Sequence, residues 1–230
     1  MTLGTQERIS RQQESILVKM NSVPLNKSES GCELLLGVTI QCNLKWSEHI
    51  SNLVKKLKSR LTGLERLRLI MKKSNRKVVV QGIFESVLSY CLPLFGGCNS
   101  TDLNLLQNLQ NRAARIAMNV PSRFSRSVMY NDLQWLTVRQ LVVYHTLLVV
   151  FRIRLTRAPA YLASQLLNEN RRGNIVIKNY RLELYRKSFV PRGGMLWNQL
   201  PHEVREAENL QCFKKSLKTW IKVNVSMFED

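Results

Sequence analysis

Apolar residues first recur in two short β-branched runs, Ile16–Met20 and Leu34–Ile40, parted by a polar stretch holding Pro24, Asn26 and Gly31. Runs of that length between turn-forming residues predict two short strands. From Trp46 the period changes. Ile50, Leu53, Val54, Leu57, Leu61 and Leu64 recur at intervals of three and four, forming one stripe of a helix that Ser47 can cap and that ends near Leu67. Ser74 can open a second helix to about Tyr90, before Pro93 and Gly96-Gly97 break it. Thr101 with Asp102 can open a third, its inner face formed by Leu103, Leu106, Leu109, Ala113, Ile116 and Ala117. Three helices with short connections predict an antiparallel bundle.

Further on, Pro121 through Arg126 reads as a basic turn. Thr137 can cap a long helix, Val138 to about Thr156, that is apolar almost all the way round; such a helix belongs at the centre of a second helical unit. Pro159 ends it. Residues 168–181 are polar and basic, and Pro191-Arg192-Gly193-Gly194 reads as another loop. Asn209 precedes a last amphipathic helix through Val223, with Phe213, Leu217, Trp220 and Ile221 inward and Lys214, Lys215, Lys218 and Lys222 outward. No internal repeat is visible. The expected fold is mainly α: a small N-terminal β element (1–44), a three-helix bundle (45–120) and a second helical unit (121–230).

Charge sharpens this picture. Lys and Arg number 35 against 16 Asp and Glu, a net of +19. Solubility needs only about 2–8 units of net charge in a small domain, so the excess implies a polyanionic partner, with nucleic acid ahead of an anionic membrane surface. Residues 45–77 hold eleven basic and two acidic side chains, a net of +9, so nearly half the excess lies in one stretch. At about 100° per residue, Lys55, Ser59 and Arg66 project opposite the apolar stripe, with Lys45 and Lys56 beside them. The candidate nucleic-acid-binding residues are Lys45, Lys55, Lys56, Arg60, Arg66, Lys72 and Lys73. Five cysteines without a CxxC pair fit free thiols in a reducing intracellular compartment, nucleus or cytoplasm. The longest apolar run, Leu141 to Ile153, falls short of the roughly 20 residues that span a bilayer, so no membrane partner is expected.

Several segments, in order, resemble a known family. Leu34-Leu35-Leu36-Gly37-Val38-Thr39-Ile40 and Leu44-Lys45-Trp46-Ser47-Glu48-His49-Ile50 are similar to the segment just after the palm in non-LTR (LINE-type) retrotransposon reverse transcriptases, an aromatic-Leu-Gly-Val strand followed by a Trp-x-x-His-Ile helix start. Leu35 stands where that family usually has Tyr or Phe. Further matches follow at Tyr90–Phe95, Leu109–Arg115, Leu133–Leu136, Ala158–Leu162, Ser188-Phe189, Leu196–Pro201 and Phe213–Lys218. The resemblance implies that Leu36 and Gly37 belong to the primer grip, that 1–44 is a palm remnant, that 45–120 is the thumb and that 121–230 is a helical connector. It also implies RNA or an RNA–DNA duplex as partner, alongside the upstream palm and fingers of the parent polymerase. The two-metal chemistry of reverse transcription needs clustered carboxylates, and only Asp102, Asp132 and Asp230 are present, far apart in sequence. The chain is therefore expected to be catalytically inactive alone and to hold no cofactor, the Mg of the complete polymerase being implied by resemblance only. A degenerate copy or a mis-started reading frame is the expected origin.

Other features have plainer readings. His49 has no Cys nearby in metal-ligand spacing and reads as a packed or capping histidine. Trp46, Trp135, Trp197 and Trp220 sit amid apolar neighbours and read as core anchors. Arg192-Gly193-Gly194 is a single copy, too little for an RGG-type RNA segment. The competing function is a domesticated helical module whose basic face binds an acidic protein; oligomeric state is open. Without a palm to cover it, the N-terminal β element is expected to aggregate.

Overall fold

The computed structural model describes residues 19–20, 23–24, 31–178 and 181–224; the Lys73 side chain is not described. The fold is mainly helical, 66% helix against 5% strand, with small antiparallel pairs at the N-terminus followed by helices. Packing divides the chain into two compact units, Met1–Lys55 and Lys56–Asp230. The boundary falls inside the first helix, where composition and periodicity placed two at 44/45 and 120/121.

In the first unit, β1 (Lys19–Met20) pairs with β2 (Val23–Pro24), and β3 (Cys32–Leu35) pairs antiparallel with β4 (Val38–Gln41). The predicted strand Leu34–Ile40 is thus a hairpin, and Ile16 to Val18 of the other lie outside the described residues. Leu35 faces Val38, leaving Leu36 and Gly37 as a two-residue turn with φ of 49° and 80°. A two-residue hairpin turn matches the twist of its strands when both central residues have positive φ, which suits Gly37 and strains Leu36. The helix α1 (Ser47–Leu67) follows. Ser47 is its first residue, and the cap comes from Gln41: its Oε1 accepts the Glu48 N–H at 3.1 Å and the Ser47 hydroxyl at 3.1 Å. His49, buried, accepts the Thr39 N–H on Nδ1 at 3.3 Å and so pins hairpin to helix. Burial lowers its pKa.

The second unit takes α1 from Lys56 onward, with Leu57, Leu61 and Leu64 fully buried. Next comes α2, made of Lys73–Val80, a π-helical turn at Gln81–Glu85 and Ser86–Leu88. Lys72, not Ser74, holds the N-cap position, and no side chain caps the helix. Pro93 lies inside the short α3 (Leu92–Phe95), whose first turn needs no N–H from it. Asn99 rather than Thr101 caps α4 (Ser100–Met118), accepting the Asp102 N–H at 2.7 Å. The expected basic turn is present, with the Phe124 N–H donating to the Pro121 carbonyl at 3.2 Å, and α5 (Arg126–Leu133) follows it. Thr137 and Gln140 form a reciprocal capping box on α6 (Val138–Thr156), as the sequence pattern requires.

α6 is the axis of this unit. Arg126–Thr156 is long and apolar enough by composition to cross a bilayer, yet α6 is packed against α3, α4, α7 (Ala160–Leu166), α9 (Phe189–Gln199) and α11 (Leu210–Val223). α3 and α4 thus share this core across the expected boundary at 120/121. The short helices α8 (Glu183–Arg186) and α10 (His202–Arg205) flank α9. Pro191-Arg192-Gly193-Gly194, expected as a loop, lies within α9. Proline is tolerated in a first helical turn, and the glycines permit close packing. A Cβ on Gly193 would sit 2.9 Å from Val150 Cγ2, and one on Gly194 3.2 Å from Ile177 Cγ1. Phe151 and Phe213 stack at 4.1 Å between ring centroids, with Trp197 beside them. Trp135 and Trp197 are buried; Trp46 and Trp220 are half-buried.

Candidate nucleic-acid interface

The stretch Lys45–Lys77 sorts itself by position around α1. The apolar stripe faces inward, so residues across from it stand in water. In the first unit, Lys45 and Lys55 are exposed. In the second, Lys56, Arg66 and Lys72 are exposed, and so is Lys58, which the sequence reading omitted. Its signal was available: Lys58 lies about 100° from Leu57, as far off the stripe as Lys56 on the other side. Among the described residues, no carboxylate forms an ion pair with Lys45, Lys55, Lys56, Lys58, Arg66 or Lys72.

Two candidates fare differently. Arg60 is half-buried, and its guanidinium donates to the Ile83 carbonyl at 2.8 Å. It lies about 60° from Leu57 around the helix, at the margin of the stripe, where a long side chain lays its stem on the core. The π-turn in α2 interrupts the ordinary backbone ladder, and Arg60 supplies a donor there. Arg60 is therefore a structural tie and leaves the candidate set. Lys73 lies on α2, with its side chain outside the described residues. Arg76, in the same basic stretch, is buried.

Leu36 and Gly37 are the turn of the hairpin rather than part of a strand. Leu34, Leu35 and Leu36 are 73%, 59% and 83% exposed, an apolar tip on the first unit.

Other arginines of the second unit work inward. Arg112 forms a two-pronged pair with Glu65, at 2.7 and 2.6 Å, which holds the Glu65 carboxyl below its ordinary range. Arg154 pairs with Glu169 at 2.5 Å, donates to the Leu166 carbonyl at 3.0 Å and covers the Trp197 ring at 4.6 Å. Arg192 donates to the carbonyls of Pro93 and Lys187, and burial lowers its pKa to about 10. Arg205 reaches the Leu200 and Asn198 carbonyls at 2.8 and 2.7 Å and Asn174 Oδ1 at 3.1 Å. The C-terminal helix is mixed: Lys215 and Lys218 are exposed, Lys214 and Lys222 half-buried.

Some residues of the short motifs are internal. Gln110 and Asn111 are buried and meet Gln107 and Tyr130; Tyr130 donates to Asn111 Oδ1 at 2.9 Å and Gln110 to the Leu136 carbonyl at 2.9 Å. Asn198 grips Ile175 through both its backbone N–H, at 2.8 Å, and its carbonyl, at 3.0 Å.

Asp102 and Asp132 lie on different helices, and Asp230 is outside the described residues. Among the described residues, no three His, Cys, Asp or Glu side chains gather where a metal could sit. Cys42, Cys91, Cys98 and Cys212 are free thiols, and burial pushes Cys98 up to about 11. Compared with protein-family models, curated proteins and solved structures, the chain matches none.

Proposed function

We propose that this chain is the primer-grip, thumb and connector portion of a non-LTR retrotransposon reverse transcriptase, and that it binds RNA or an RNA–DNA duplex through the sugar-phosphate backbone. It carries out no polymerase step by itself. The observation that carries the proposal is a set of exposed cations that form no ion pair among the described residues, Lys45 and Lys55 in one unit and Lys56, Arg66 and Lys72 in the other. Cations held in water can neutralise backbone phosphates, and release of the counterions condensed on the nucleic acid drives binding without reading bases. The ordered short motifs support the family, and the apolar hairpin tip at Leu34–Leu36 suits a surface covered by an upstream palm.

The test is a salt titration of binding to a short RNA–DNA duplex, read by anisotropy. Affinity is expected to fall by orders of magnitude between roughly 50 and 200 mM salt, linearly on logarithmic axes. Binding that stays flat with salt, or no binding at low salt, overturns the proposal; tight binding to an acidic protein in its place would favour the domesticated interaction module.

A further inference from the structure

Where α1 gives way to α2, a tight turn carries aliphatic side chains outward. The Ile70 and Met71 N–H groups both donate to the Leu67 carbonyl, at 3.1 and 3.0 Å, and Arg68 N–H donates to the Glu65 carbonyl at 3.3 Å. The turn is thus tied to the end of α1. Held there, Leu69 and Ile70 are 82% and 81% exposed, and Leu67 is 45% exposed. Exposed Arg66 precedes them and exposed Lys72 follows. From Arg66 through Phe84 the sequence has no acidic residue, and Glu65 is taken up by Arg112. A branched aliphatic pair is therefore presented between cations, with no carboxylate nearby in sequence to repel a phosphate.

We propose that this turn is a wedge: Leu69 and Ile70 enter between stacked base pairs while Arg66 and Lys72 hold phosphates on either side of the insertion. The proposal rests on the reading of this chain as a duplex binder and adds a second action to it, local unstacking. Leu and Ile are among the side chains that open base steps in this way, and the unstacking is offset by added backbone contact. A lipid surface is the other polyanion to consider. The cations argue against it by their layout: Lys56 and Arg66 lie about 15 Å apart along α1, a track leading away from the tip. A track serves a rod-shaped polyanion. An interfacial anchor instead combines an apolar helix face with anionic-lipid contacts, often with Trp or Phe, and this turn has no aromatic residue.

The experiment uses the full chain and a short RNA–DNA duplex with 2-aminopurine at a central step, whose fluorescence rises when the base unstacks. The native chain is expected to raise it on binding. The double variant Leu69→Ser/Ile70→Ser, at positions already in water, is expected to bind with less than about a tenfold loss of affinity yet give no fluorescence rise. The variant Lys56→Gln/Arg66→Gln should weaken binding and lower its salt dependence, while saturating concentrations restore the rise. Binding by the native chain without a rise, or a rise that survives in the serine variant, overturns the wedge and leaves duplex binding intact. No duplex binding at low salt overturns both. Sedimentation with vesicles containing phosphatidylserine, lost in the serine variant while the duplex signal is absent, would assign the turn to a membrane instead.

Discussion

The basic side chains of the α1 region and those of the α4–α10 region carry the same charge and do opposite things. Lys55, Lys56, Arg66 and Lys72 stand in solvent and form no ion pair among the described residues, while Arg112, Arg154, Arg192 and Arg205 turn inward onto carboxylates, carbonyls and an aromatic ring. Residue type contributes without deciding it, since Arg66 stands in water like the lysines. Lysine is a hydrated point charge on a flexible stem, whereas the guanidinium fork can satisfy several fixed acceptors at once. Net charge alone therefore overstates the surface open to a polyanion, and the proposed interface is smaller than +19 suggests.

The sharpest way to break this comparison is to neutralise the outward set. Lys55→Gln/Lys56→Gln/Arg66→Gln should lower duplex affinity about 500-fold at roughly 0.1 M salt and reduce the salt slope by about 2.7, taking about 0.9 per phosphate contact. Denaturant stability should stay within about 0.5 kcal/mol. Unchanged affinity would make these residues an ordinary solvated face. The inward set should behave in reverse. Arg192→Met strands the Pro93 and Lys187 carbonyls and should cost about 2–3 kcal/mol of stability by urea unfolding, with the salt slope of binding intact.

A smaller effect is expected at Glu65. Its pair with Arg112 is partly exposed, so Glu65→Gln should cost about 1 kcal/mol or less near neutral pH. The sign with pH is fixed by the lowered folded-state pKa, for which the hydrogen bond from Arg112 is the main cause. The stabilisation is present above the ordinary carboxylate value of 4.5 and is lost as pH falls through the depressed folded value. Thermal melts of the Glu65→Gln variant should converge on those of the native chain in acid. If the gap persists there, the pair is not what stabilises α1 against α4. Smallest in stability is Leu35→Lys on the exposed hairpin: within about 0.5 kcal/mol, but with less self-association by light scattering.

Helical period made α1, α4, α6 and α11 legible, because each presents a continuous apolar stripe or surface to a core. It also placed Lys55, Lys56 and Arg66 correctly, since their exposure depends only on their angle from that stripe. Arg60 could not be read in the same way: its destination is a carbonyl 23 residues along, at a π-turn that periodicity does not mark. α9 was hidden for a related reason. Proline and paired glycines usually punctuate a chain, but here Pro191 sits in a first turn and the glycines answer to Val150, Ile175 and Ile177. The turn at Leu36-Gly37 was missed because Leu36, a poor turn residue, occupies a positive-φ position.

The glycine pair in α9 also governs how this protein can decay. Any replacement at Gly193 brings a carbon into Val150's space, whereas a solvent-facing lysine accepts almost any polar substitute with its fold intact. In a lineage released from selection for binding, a single lesion at such a crowded spot would ruin the scaffold, while the proposed phosphate track would erode gradually, one residue at a time. Copies that retain both would mark lineages in which the proposed grip was still being used.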